Sequence, residues 1–193
     1  MAVRSINTGT PDLLATLDEG VLTLTLSRPD ARNAMTDDMN QALANQLARA
    51  ETDSDVRCIV LTGAGQGFCA GGDVKAMAGR GGGVAGERGG GVSMDEAIQS
   101  QRLNQRATAG KLFSMPKPTI AALPGAAAGA GFALALACDM RVMSNKAFLT
   151  TAFARVGLSG DYGGTYFLTQ LVGSAKAREM YFLSDRVSAD EAL

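Results

Sequence analysis

The chain has 193 residues, of which 46% are hydrophobic and 19% charged, and its net charge is −1. That is enough apolar material for one domain with a real core, and it excludes a disordered chain. The basic residues are scattered, which excludes nucleic-acid binding as the main role, and the absence of histidine excludes Ser-His-Asp, Cys-His and His-containing zinc chemistry.

Leu13 to Asp18 and Val21 to Ser27 are two β-rich runs separated by Glu19-Gly20, and Leu22, Leu24 and Leu26 alternate with Thr23 and Thr25 as in a hairpin. Arg28-Pro29-Asp30 marks a turn. Thr36 with Asp37 and Asp38 predicts a helix start, and Met39, Leu43 and Leu47 give that helix an apolar face. Val56 to Leu61 is the next predicted strand. It runs into Gly67-Phe68-Cys69-Ala70-Gly71-Gly72-Asp73-Val74-Lys75, with Val74-Lys75-Ala76-Met77 opening a helix. A strand that ends in small residues before a helix leaves backbone N–H groups unpaired, and those donors suit a developing negative charge.

Gly79 to Gly91 holds two Gly-Gly-Gly triplets and reads as a mobile loop that covers part of a pocket. A helix is expected from about Met94 to Phe113, ending before Pro116 and Pro118. Thr119 to Leu123 is a strand that enters Pro124-Gly125-Ala126-Ala127-Ala128-Gly129-Ala130-Gly131 and then a helix toward Cys138. This second strand-to-helix junction repeats the logic of the first. Two such junctions can aim two N–H groups at one point, as an oxyanion hole, or the small residues can simply allow close helix–strand packing. Met140 to Met143 and Ala147 to Thr150 are short strands, Tyr162 to Leu171 and Ala175 to Leu183 are helices, and Ser188 starts another. The alternation makes the chain α/β with crossover helices. The chain stops inside that last amphipathic helix, so one domain over 1–193 lacking its C-terminal helical part is expected.

Cys58, Cys69 and Cys138 show no CxxC spacing and read as reduced, buried thiols. The N-terminus has no apolar signal core, and the longest apolar run, Ala126 to Cys138, is too short to span a bilayer. A cytoplasmic protein with no membrane role and no metal is expected. Gly65-Gln66-Gly67-Phe68-Cys69-Ala70 fits a permissive dinucleotide-binding form. The acidic residue that form needs about 20 residues on would fall in the glycine-rich segment, so that reading is set aside.

Taken together and in order, Phe68 to Lys75, Pro124 to Gly131 and Ala137-Cys138-Asp139 resemble the crotonase (enoyl-CoA hydratase/isomerase) superfamily. Arg28-Pro29 with Asn33-Ala34, and Gly157-Leu158-Ser159-Gly160-Asp161-Tyr162-Gly163-Gly164-Thr165, fit two further turns of that family. The resemblance covers nearly the whole chain. It implies a crotonase-like spiral of ββα turns, a homotrimer or dimer of trimers, and acyl-CoA thioester substrates, with coenzyme A part of the substrate and no other cofactor. It implies an oxyanion hole from the N–H groups of Ala70 and Ala130. It places Gly71, Gly72 and Asp73 along the CoA path, with Ala34, Val74, Ala126, Phe153 and Tyr162 also on the substrate. Arg32 and Lys75 are candidates for the nucleotide phosphates.

Hydratases of that family use two glutamates, and the matching positions here are Ala133 and Phe153. Neither can move a proton. Asp161 stands where some isomerases of the family carry their working aspartate, and one carboxylate suffices to shuttle a proton between two carbons. Dehalogenation by a nucleophilic aspartate would need a histidine and a tryptophan, both absent. Enoyl-CoA double-bond isomerisation with Asp161 as the proton shuttle is therefore expected. The alternatives are a hydratase by overall similarity with weak or absent hydration, and a non-catalytic acyl-CoA-binding subunit. Asp161 as a plain turn or helix-cap residue also stays open.

Overall fold

The computed structural model describes residues 3–73 and 93–193. The helix expected to open at Val74 and the Gly79–Gly91 loop lie outside the described residues.

Six strands form the main sheet. β1 (Arg4–Ile6), β2 (Leu13–Asp18) and β3 (Val21–Leu26) are an antiparallel meander, and β4 (Cys58–Gly63) and β5 (Thr119–Leu123) continue from β3 in parallel. A second sheet holds β6 (Ala127–Ala128), and β7 (Met140–Met143) completes the first, in the order β1-β2-β3-β4-β5-β7. β8 (Phe148–Thr150) pairs with β6, and β9 (Val187–Ser188) with β8. The β2–β3 turn places Glu19 and Gly20 at φ +46° and +85°, the twist-matched hairpin turn. Leu22, Leu24 and Leu26 face inward, as their alternation predicts, and parallel register sets Leu24 beside Leu61 and Leu61 beside Ala121. The predicted strand Val56–Leu61 is displaced to Cys58–Gly63. The Val56 N–H donates to the Asp53 carbonyl at 3.1 Å and so belongs to the preceding turn.

Five helices are described. α1 (Asp37–Thr52) starts at Thr36, whose side chain accepts the Met39 N–H, and it buries Met39, Leu43 and Leu47 completely. α2 (Met94–Gln105) opens on a Ser93/Glu96 capping box and continues through a wider turn, Arg106–Gly110, to Phe113. α3 (Ala130–Ala137) is buried along its whole length, so it shows no polar face. α4 (Gly164–Leu183) is broken at Gly173, which matches two expected helices, and α5 (Ala189–Ala192) is capped by Ser188. Among the described residues, no helix is long and apolar enough to cross a membrane.

The loops at the carboxyl ends of β3, β4 and β5 meet, and one side chain holds the first two together. Asn33 is fully buried in the left-handed region at φ +55°. Its Oδ1 accepts the Arg28 N–H at 2.9 Å, and its Nδ2 donates to the carbonyls of Ala64 (2.9 Å), Gly67 (2.9 Å) and Phe68 (3.2 Å). The loop after β4 thus takes its shape from a residue after β3. Replacing Asn33 by Ala leaves these buried backbone groups without partners and is expected to destabilise the protein by about 2–4 kcal/mol in urea unfolding. Asn33→Asp, isosteric but without donors, should cost at least as much at neutral pH.

Candidate active site

The first junction can be read amide by amide. Phe68 and Cys69 donate to the Ala126 carbonyl at 3.0 and 3.2 Å, and Ala70 donates to the Arg32 carbonyl at 3.0 Å. Gly71 meets only the Cys69 sulfur, at 3.4 Å. Met35 pairs in parallel with Gly72: the Met35 N–H donates to Gly71 O at 2.8 Å, and the Asp73 N–H donates to Met35 O at 3.3 Å. In such a pairing the neighbours of Gly72 face Met35, so the N–H of Gly72 itself faces away. Among the described residues that N–H has no acceptor. This corrects the expected donor. The Ala70 amide is spent inside the fold, and Gly72 carries the free one. Spacing could not show this, because the acceptors come from Arg32 and Met35, more than thirty residues earlier.

The second junction lies against the first. Cys69 and Ala127 form a parallel bridge, with the Ala128 N–H on the Cys69 carbonyl at 2.9 Å. The N–H of Ala130 opens α3 and, among the described residues, has no acceptor, as the first amides of a helix do not. A methyl group built on Gly71 would lie 3.3 Å from the Ala130 nitrogen. One built on Gly131 would lie 2.5 Å from the Cys69 Cβ and 2.6 Å from its carbonyl oxygen. The close-packing reading of the small residues therefore holds, and the packing sets Gly71 against the free amide of Ala130. Gly129 precedes Ala130 at φ +54°, a conformation open to glycine.

A cleft of about 450 Å³ opens beside these junctions, lined in part by Arg32, Gln66, Ala70, Ala126, Phe148 and Arg186. It lies at the carboxyl ends of the parallel strands, where α/β folds gather their ligands. A larger cleft of about 630 Å³ at Arg4, Glu19, Asp55 and Arg57 lies at the other ends of β3 and β4 and touches neither junction. Arg32 and Arg186 are exposed and, among the described residues, form no ion pair; the Arg186 guanidinium lies 4.4 Å over the Phe148 ring. Arg186 escaped sequence reading because a lone arginine after a helix carries no spacing signal.

Other expected binding residues have structural duties. Asp73 meets the Arg28 guanidinium at 3.1 Å, and the buried Ala34 offers that guanidinium its carbonyl at 2.7 Å. The Tyr162 hydroxyl donates to Asn40 Oδ1 at 3.3 Å and accepts from Asn104 Nδ2 at 3.2 Å, which ties its turn to α1 and α2. Val74 and Lys75 lie outside the described residues. The Cys69 thiol, pushed up to about 12 by burial, donates to the Asn33 carbonyl and is no nucleophile.

The other side of the candidate site is one half-buried carboxyl on a turn packed against apolar side chains. Ala133 lies one helical turn after Ala130, and a methyl group on Gly164 would lie 3.1 Å from its Cβ. The Phe153 ring stacks parallel on Tyr181 at 6.1 Å and comes within 3.8 Å of the Cβ position of Gly129. Asp161 sits between Gly160, which faces Phe153, and Gly164, which faces Ala133. Its backbone carbonyl accepts the Gly164 N–H at 3.0 Å, so it does close the turn before α4. Its carboxyl does something else. Oδ1 is buried without a hydrogen-bond partner among the described residues, and burial pushes the group up from 3.8 to about 6. A buried carboxylate oxygen without a donor is costly, and such groups gather at sites of function.

The model of the enoyl-CoA hydratase/isomerase family matches residues 16–193. The chain is 38% identical over 183 residues to the 1,2-epoxyphenylacetyl-CoA isomerase of Escherichia coli K12, which covers 93% of this chain and 65% of that protein. Among solved structures it is similar to an enoyl-CoA hydratase from Mycobacterium avium subsp. paratuberculosis K-10, with TM-score 0.80 and 31% identity, covering 95% of this chain and 68% of that one. It is also similar to an enoyl-CoA hydratase from Polaromonas sp. JS666, with TM-score 0.76 and 35% identity, covering 92% and 65%. The chain thus spans about two thirds of the length of these relatives.

Two outcomes follow from this geometry. Gly131→Ala forces Cys69 away from α3 and is expected to lower stability by about 1–3 kcal/mol in urea unfolding, although alanine favours a helix interior by up to about 1 kcal/mol. Because the folded Asp161 is raised, its contribution to stability is fully present below 3.8 and is lost as pH rises through about 6. Asp161→Asn should therefore stabilise the protein at pH 8 by about 1–2 kcal/mol, discounted because the group is only half-buried, with the gain gone near pH 3.5. Denaturation midpoints at the two pH values check this.

Proposed function

The chain belongs to the enoyl-CoA hydratase/isomerase family, and from that premise we propose that it isomerises the double bond of an enoyl-CoA thioester, with Asp161 as the proton shuttle. The observation that carries this reading is the half-buried Asp161 carboxyl, its Oδ1 closed off without a partner among the described residues, while the other two candidate positions are the buried Ala133 and Phe153.

The substrate carbonyl oxygen sits between the N–H groups of Gly72 and Ala130. The Asp161 carboxylate removes a proton from C2 of a 3-enoyl thioester. The C–H electron pair moves into the conjugated system, and negative charge gathers on the thioester oxygen, where the two amides hold it. Protonated Asp161 returns the proton at C4, the electrons withdraw from oxygen, and the double bond is left between C2 and C3. Atoms and electrons balance without a co-reactant. Addition of water has no such support, because it needs a group to activate water and Ala133 and Phe153 offer none. The raised Asp161 suits the task. A base near 6 is still ionised at neutral pH and holds a proton more firmly than an ordinary aspartate. The coenzyme A moiety lies in the Arg32–Arg186 cleft, where no acidic side chain lines the wall among the described residues. The Escherichia coli relative, an acyl-CoA isomerase by name, supports the reaction class.

The test offers 3-enoyl-CoA and 2-enoyl-CoA to the wild type and to Asp161→Asn. Isomerisation by the wild type should fall on the acid side with a midpoint near pH 6, and Asp161→Asn should lower kcat by about 10²–10⁴-fold with KM within a few-fold. Hydration of 2-enoyl-CoA that survives the substitution would overturn the assignment. Tight binding without turnover of either substrate would point to a binding subunit.

A further inference from the structure

The turn that carries Asp161 is wrapped around a side chain twenty residues further on. A methyl group on Gly160, at one end of the turn, would lie 2.9 Å from Tyr181 Cε1, and one on Gly164, at the other end, would lie 2.6 Å from the Tyr181 hydroxyl. Both glycines face one side chain, Gly160 at the ring edge and Gly164 at the hydroxyl oxygen, and Asp161 lies between them in the chain. The far face of the ring system is closed by Phe153, stacked at 6.1 Å with an interplanar angle of 3°. Tyr181 comes from α4, so the helix that follows the turn returns to support it. Its hydroxyl has no hydrogen-bond partner among the described residues, so what the turn takes from it is shape.

We propose that Tyr181 is the positioning residue for Asp161: its ring, and not its hydroxyl, sets the direction of the carboxyl and keeps water from it. This deepens the proposed proton shuttle and rests on it for its catalytic meaning, although the positioning itself does not. The titratable neighbours of Asp161 are Tyr162 on its own turn and Tyr181 on α4, both raised by burial and by the Asp161 charge, Tyr181 to about 12. α3 offers Ala133 and no charge at this point, and Arg155 of the preceding turn pairs with Asp185 at 3.4 Å. With no fixed charge beside it, the Asp161 carboxyl takes its raised affinity for a proton from burial, and in this proposal the Tyr181 ring supplies part of that burial.

The experiment reads Asp161 directly. Its side-chain ¹³C-carboxyl signal, assigned by loss in Asp161→Asn, is titrated in the free protein for the wild type, Tyr181→Phe and Tyr181→Ala. Tyr181→Phe should keep the midpoint near 6 and kcat within about twofold. Tyr181→Ala should lower the midpoint by at least one unit toward 3.8, shift the acid limb of kcat with it, and reduce kcat at least tenfold while KM changes less than threefold. If the alanine variant does not fold, Tyr181→Leu, which keeps apolar volume without the flat ring, should lower the midpoint by at least half a unit. The proposal is overturned if the smaller side chain leaves the midpoint and kcat at wild-type values, or if Tyr181→Phe loses as much as Tyr181→Ala, which would make the hydroxyl the working group. A wild type that shows the expected titrations but isomerises nothing would sink the proposed reaction and leave the positioning intact.

Discussion

The backbone that follows β4 lies directly on the backbone that follows β5, and anything larger than hydrogen at Gly125 or Gly131 would push them apart. A Cβ on Gly125 would run into the Gln66 carbonyl, and one on Gly131 into Cys69. This contact works only because the first loop arrives already shaped. Asn33 gathers three of its carbonyls, and Arg28 reaches across to Asp73. Once these acceptors and donors are assigned, nearly every amide from Phe68 to Asp73 is committed. The exception is Gly72; its neighbour Gly71 lies against Ala130, whose amide is free because a helix starts there. The two amides proposed to hold the oxyanion are thus what remains after the fold has met its own hydrogen-bonding needs.

The same economy explains the cost at Asp161. A half-buried carboxyl whose Oδ1 is closed off gives up hydration there and receives no hydrogen bond at that atom in return. The protein could lower that cost with one hydrogen bond to Oδ1, and a donor there would also pull the carboxyl back toward the ordinary aspartate range. Stability and proton affinity are therefore opposed at this one atom. The surroundings absorb the strain. Tyr162 adopts φ +51° and is held at its hydroxyl from two helices, so the turn does not relax by moving outward.

What was legible in the sequence was what local pattern controls. Thr36 with its acidic neighbours marked α1, the Leu22-Leu24-Leu26 alternation marked β3, and small residues after two apolar runs marked both junctions. Asp161, Ala133 and Phe153 were readable once a family resemblance supplied the register. The two-residue strands β6 and β9 were not readable, since two residues carry no period. Choosing Ala70 over Gly72 failed for a deeper reason: which amide stays free depends on carbonyls supplied by Arg32 and Met35, and pairing across that distance leaves no trace in the spacing. Asn33 looked like an ordinary turn residue, and Tyr181 like one more position on a helix, because the partners of both are set by tertiary contact.

The division of labour between backbone and side chain follows from these distances. The amides of Gly72 and Ala130 are fixed by main-chain pairing, so side-chain replacement in the acyl pocket leaves them in place. In the proposed isomerisation, proton transfer depends on side chains at 133, 153 and 161 and on the ring at 181, and none of these side chains takes part in the pairing that frees the amides. A carboxylate placed at 133 or 153 would change what the proposed enolate could react with and leave the two amides unchanged. It would also put a second negative charge near Asp161, raising it further and making the present base a weaker source of carboxylate at neutral pH. A single carboxylate beside two hydrophobic positions is therefore a set consistent with the proposed movement of one proton along a carbon chain.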